Sequence, residues 1–175
     1  VLQNVKTRGT WGEVQLGGLL DQFMTPEQYE KNVATKKGSN DRVEFAIKIP
    51  SKDDKVKNLW LPIDAKFPLE EFQSLIDAEE KSDITLIDKL SRALEARIKS
   101  EAKDIKEKYL DPPYTTDFGI LFLPIESLYA EVLRRPGLAD TLQRDYKVII
   151  TGPTTIAAIL NSLQMGFKTL AIEKR

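Results

Sequence analysis

Three side chains set the chemistry this chain can do: Asp64 and Lys66, two positions apart in Ile63-Asp64-Ala65-Lys66, and Glu44 upstream. In extended backbone, residues i and i+2 point to the same face. Asp64 and Lys66 therefore project together, with Ala65 turned away. A carboxylate can hold Mg²⁺, and a neighbouring lysine can orient or deprotonate a water. Together they form a minimal set for metal-assisted phosphodiester hydrolysis. On its own, Asp-x-Lys is common as plain surface charge. The apolar strand before it and an acid on the neighbouring strand are what favour chemistry here.

Composition narrows the alternatives. The 175 residues include no Cys and no His. Thiolate nucleophiles, Ser-His-Asp triads, disulfides and Cys/His zinc sites are excluded. Catalysis would fall to carboxylates, Lys, Tyr, Ser/Thr or a hard cation on oxygen ligands, Mg²⁺ or Mn²⁺. Net charge is −1, unlike a simple basic nucleic-acid binder. Lys and Arg exceed acids over residues 31–57 and 134–175, and acids dominate residues 69–131. The two basic segments can fold into one positive face, or belong to an ordinary mixed surface. No apolar run is long enough to span a membrane, and none resembles a signal peptide. The chain opens at Val1 without Met and is expected to be one domain, residues 1–175, of a longer protein.

The elements that must position these residues follow from periodicity. Residues 10–24 read as a helix, with Thr10 as N-cap and Glu13 at capping-box spacing. Glu13 is either that capping residue or a third metal ligand. Residues 28–36 suggest a weak strand. Val43, Phe45, Ile47 and Ile49 alternate with Glu44, Ala46 and Lys48, as in a strand. Residues 59–65 form a second strand, apolar except at its end and paired with the first as a hairpin. Glu44, Lys48, Asp64 and Lys66 would then share one face. Helices follow over 69–80 and 83–109, the latter read as structural. Buried strands at 118–123 and 147–150 alternate with helices near 125–134, 137–145 and from Pro153 to about Gly166. The order α-β-β-β-α-α-β-α-α-β-α implies a mixed sheet flanked by helices. The Gly152–Thr155 turn, with Thr154 and Thr155, can bind phosphate through free helix N–H groups or be a plain helix start. Lys36, Lys37, Arg42, Lys48 and Lys52 can touch DNA phosphates or be merely solvated. Trp11 and Trp60 fit core packing better than base stacking.

Five segments carry a resemblance: Arg8-Gly9-Thr10-Trp11-Gly12-Glu13-Val14-Gln15-Leu16, residues 42–50, Leu61-Pro62-Ile63-Asp64-Ala65-Lys66-Phe67-Pro68, residues 118–126 and residues 150–155. In this order they resemble the signatures of the DNA recombination protein RmuC family, over nearly the whole chain. The family is assigned to the PD-(D/E)XK nuclease superfamily. The resemblance implies an α/β, restriction-endonuclease-like αβββαβ core with helical insertions and a Mg²⁺- or Mn²⁺-dependent site on the central hairpin. It gives Glu44, Asp64 and Lys66 the catalytic positions. Glu13, Glu44, Asp64 and the backbone carbonyl of Ala65 would be metal ligands. Val43-Glu44 stands where the pattern usually reads Pro-Asp, and the extra methylene would move the metal. DNA is the expected partner, with a homo-oligomer possible. The expected location is cytoplasmic, and an N-terminal anchor and coiled coil are expected outside this fragment. A DNA-structure binding module with little or no hydrolysis is the second expectation, and an oligomerising domain the third.

Overall fold

A computed structural model describes residues 4–51 and 58–173. Helix α1 (Val5–Phe23) leads into three antiparallel strands, β1 (Tyr29–Val33), β2 (Val43–Pro50) and β3 (Asn58–Ala65). Helices α2 (Leu69–Glu80) and α3 (Ile84–Tyr109) precede β4 (Gly119–Phe122). Helices α4 (Glu126–Leu133) and α5 (Leu138–Tyr146), strand β5 (Val148–Thr151) and α6 (Pro153–Glu173) complete the fold. The element order is the one the sequence implies, an α/β fold with a five-stranded mixed sheet. The sheet order is β1-β2-β3-β4-β5, antiparallel from β1 to β3 and parallel from β3 to β5.

Alternation along the strands builds two cores. Ile120 and Phe122 join Phe45, Ile47, Leu61 and Ile63 beneath α1 and α6. Leu121, Val148 and Ile150 face the opposite layer, against α2 to α5. On that side the packing leaves no room at Gly119, where a Cβ would lie 2.8 Å from Cγ2 of Ile105. Between α1 and the sheet, Gly12 lets the helix approach, its Cβ position being 3.9 Å from that of Ala65. Gln164 of α6 ties the end of α1 down, its amide donating to the Phe23 carbonyl at 3.1 Å and to Gln28 at 2.7 Å.

Two helix ends differ from the sequence reading. Helix α1 begins earlier, because Asn4 rather than Thr10 caps it, accepting from the Lys6 N–H. Thr10 lies inside the helix and donates to the Lys6 carbonyl at 3.0 Å, so Glu13 is no capping-box residue. Helix α6 continues past Gly166 to Glu173. No Pro follows Gly166, and a single glycine costs a helix only about 1 kcal/mol.

Candidate active site

Strand β3 ends at the carboxyl edge of the parallel part of the sheet, where Ala65 is in register with Phe122 and Phe122 with Thr151. The Lys66 N–H continues this pairing, donating to the Phe122 carbonyl at 3.0 Å. In open α/β sheets this edge is where ligand sites form. Pleating sends Ala65 into the core under α1 and its neighbours toward α3. Asp64 is only 3% exposed, and its Oδ2 lies 3.5 Å from the Lys66 Nζ.

Three further groups converge there. The Glu44 carboxylate reaches across the hairpin and accepts from the Ala65 N–H at 3.3 Å. It also shares a side-chain hydrogen bond with Glu13 of α1. From the other layer, Glu101 of α3 places Oε2 3.8 Å from the Lys66 Nζ, while its Oε1 accepts from Arg97 at 3.0 Å. The cluster thus straddles the sheet edge, with Glu13 contributed by one helical layer and Glu101 by the other. Tyr109, at the end of α3, lies close enough to respond to Asp64, Lys66 and Glu44.

Crowding of acids governs the electrostatics. Burial, then the Asp64 charge, then the Glu13 hydrogen bond push the Glu44 carboxyl up to about 8. Burial likewise raises Asp64 to about 6, against the opposing pull of Lys66. For Lys66, burial disfavours the charged form, but Asp64, Glu101 and Glu44 outweigh it and raise its pKa. The amine is therefore an ammonium at neutral pH. It can orient a water or bind an anionic oxygen, and it is no proton acceptor there.

The donor set matches a hard cation in chemistry, being carboxylate oxygens in a partly buried, over-negative pocket. In the present rotamers, no three acidic side chains among the described residues stand close enough to hold a metal ion. Glu13 and Glu44 bond to each other and Asp64 is turned to Lys66. A cation entering between them would replace the hydrogen bond within the Glu13–Glu44 pair. An open cleft of about 440 Å³ between α1 and the β1–β2 edge, lined by Glu13, Val14, Gly17, Gly18 and Glu44 among others, leads to this pair.

The other residues singled out from sequence are placed less favourably. Lys48 lies on the Glu44 face but four residues along β2, roughly 13 Å away. It pairs with Glu30 at 2.9 Å and lies 6.0 Å from the Trp60 ring centroid, so it is not part of the cluster as the shared-face expectation held. Lys36 donates to the Glu107 carbonyl, Lys37 covers the Tyr114 ring, and Arg42 donates to the Asn32 carbonyl. Lys52 lies outside the described residues. Thr155 is spent on the start of α6, accepting from the Gly152 N–H at 2.7 Å. The Thr154 N–H already donates to Glu126, so that helix start holds a carboxylate where a phosphate would sit. Trp11 packs on Phe67 with ring centroids 5.5 Å apart. Reading α3 as purely structural missed Glu101. Its signal was an acid three residues after Ile98 and four before Ile105, on the helix's apolar stripe.

The RmuC family model matches residues 1–175. The chain is 53% identical, over all of its length, to a DNA recombination protein RmuC homolog of Xylella fastidiosa (strain Temecula1 / ATCC 700964), covering 38% of that protein. It is 27% identical over 177 residues to a homolog from Chlamydia pneumoniae, 100% of this chain and 39% of that one. It is also 27% identical over 168 residues to the DNA recombination protein RmuC of Escherichia coli (strain K12), 90% of this chain and 33% of that one. The chain thus spans well under half the length of these relatives. No solved structure matches. Among the described residues no helix is long and apolar enough to cross a membrane. The match along the entire chain means that this protein belongs to the RmuC family.

Proposed function

We propose that the chain is a metal-dependent DNA nuclease domain acting in DNA recombination or repair, with a PD-(D/E)XK-type site. One observation carries the reading. A buried aspartate and a lysine from one strand end lie beside Glu44 of the partner strand, which in turn bonds to Glu13 of α1 where an open cleft reaches that pair. The relatives' name, DNA recombination protein, supplies the biological setting. Glu13, Glu44, Asp64 and the Ala65 carbonyl would hold Mg²⁺ or Mn²⁺. The cation would supply Lewis acidity toward a phosphoryl oxygen. Lys66, protonated and fixed between Asp64 and Glu101, orients the attacking water and donates to a non-bridging oxygen as charge builds there. The water oxygen bonds to phosphorus and gives up a proton to solvent, one P–O ester bond breaks, and the leaving oxygen takes up a proton from solvent.

Among the described residues no three acids stand close enough together to hold a metal ion, which favours a second reading, a DNA-structure binding module with little or no hydrolysis. Purified domain assayed on linear, nicked and hairpin DNA with Mg²⁺ or Mn²⁺ separates the two. Cleavage lost in both Asp64→Ala and Lys66→Ala supports the nuclease. Cleavage surviving both refutes this site. Tight DNA binding with no metal uptake by calorimetry supports the binding module.

A further inference from the structure

The first half of α1 runs alongside the chain as it leaves β3. Gly12 sits over Ala65, Trp11 on Phe67, and Arg8 beside Glu70. Arg8 is only 7% exposed, yet among the described residues its guanidinium has a single ion pair, Nη2 to Glu70 Oε1 at 3.2 Å. Its Nε is buried with no hydrogen-bond partner among the described residues. The partner it does have is a mobile kind of group, a glutamate side chain 71% exposed at the start of α2. A buried guanidinium so poorly matched is costly, and a phosphate, with its planar-fork complementarity, would satisfy it far better. Arg8 and Glu13 are five residues apart on one helix, about 7.5 Å along its axis. They are also about 140° apart around it, so an anion held by Arg8 would lie on the Trp11–Phe67 side of the helix, along the chain that runs on from Lys66.

We propose that Arg8 grips a backbone phosphate of the DNA strand beside the one at the Glu13–Glu44–Asp64 cluster, and that Glu70 occupies its place when no DNA is bound. This rests on the DNA-processing reading of the same site. Displacing Glu70 frees the Nη2, which with the already unpartnered Nε can make two parallel hydrogen bonds to phosphate oxygens. The acid is thus a built-in competitor, and its removal strengthens binding.

The test uses the intact domain and a fluorescein-labelled oligonucleotide, single- and double-stranded, with Ca²⁺ as the added cation and anisotropy read over a salt series. Glu70→Gln is compared with Glu80→Gln, which removes an exposed acid from the far end of the same helix. The expected result is several-fold tighter binding for Glu70→Gln than for Glu80→Gln. The slope of log K against log salt should steepen by about 0.7–0.9, as for one added phosphate contact. Arg8→Lys, which keeps the charge without the fork, should lose that gain when combined with Glu70→Gln. Equal behaviour of Glu70→Gln and Glu80→Gln, with DNA still bound, overturns the role of Arg8 and leaves the cluster's function standing. Failure of the parent domain to bind either oligonucleotide overturns both.

Discussion

Substituting Glu44 by Gln should remove the pH dependence of stability that the crowded carboxylates create. Glu44 is held near 8 against an ordinary 4.5, first by burial and then by Asp64. Between those values the folded chain keeps a proton that the unfolded chain has released. Its stabilising effect is complete below about 4.5 and disappears as pH rises through 8. Asp64, raised to about 6, titrates lower in the range. The tyrosines raised to about 12, Tyr29 and Tyr109, titrate above it. The window from about pH 6.5 to 8 therefore isolates Glu44. Each unit crossed removes at most about 1.4 kcal/mol. Contact of Glu44 with solvent reduces the total over the window to roughly 1–2 kcal/mol. For a domain of this size that is a fall in Tm of about 2–8 °C. The assay is thermal unfolding in EDTA across this range, repeated for Glu44→Gln. The variant's Tm should stay level where the parent's declines, and Mn²⁺ should raise the parent's Tm most at the alkaline end. A parent Tm that is flat from pH 6.5 to 8, or an unchanged decline in Glu44→Gln, would refute the idea that the acids are packed against one another.

Other outcomes follow from individual contacts. Gly119→Ala must push Ile105 aside and should lower stability by about 1–3 kcal/mol, read as a lower urea midpoint with unchanged slope. Thr155→Ala removes a hydrogen bond at the start of α6. It should cost about 1 kcal/mol in a urea titration and leave DNA affinity as it was, the reverse of what a phosphate contact would give. Glu101→Gln leaves Lys66 with Asp64 alone. It should reduce DNA cleavage at least ten-fold at saturating DNA, with little change in binding measured by anisotropy.

Hydrophobic patterning made the topology readable, because β2 alternates in sequence, β4 and β5 are short apolar runs buried almost throughout, and the long α3 buries one stripe. The hairpin that joins Glu44 to Asp64 followed from the same alternation, and the Asp64–Lys66 pairing from the pleat. Helix starts were less legible. Thr10 and Asn4 are both good caps by residue type, and residue type alone does not choose between them. Lys48 shares the parity of Glu44, but parity says nothing of distance along the strand or of Glu30 on the adjacent one. Glu101 and Tyr109 come from a helix whose sequence distance from β3 carries no information about proximity. Docking of α3 onto the sheet brings them in. The superficially phosphate-like turn at Gly152 was misleading for a similar reason, since Glu126 arrives from α4.

Helix α1 owes its seating partly to Gln164, which clasps the Phe23 carbonyl and Gln28 from α6. During synthesis, then, a ribosome-bound chain that has emerged only as far as β3 already carries Glu13, Glu44, Asp64 and Lys66. It has the Tyr29–Asp21 hydrogen bond to hold α1 but not yet the Gln164 contacts. The two hydrogen bonds that pin the end of α1 to α6 form only once the polypeptide is made through that last helix.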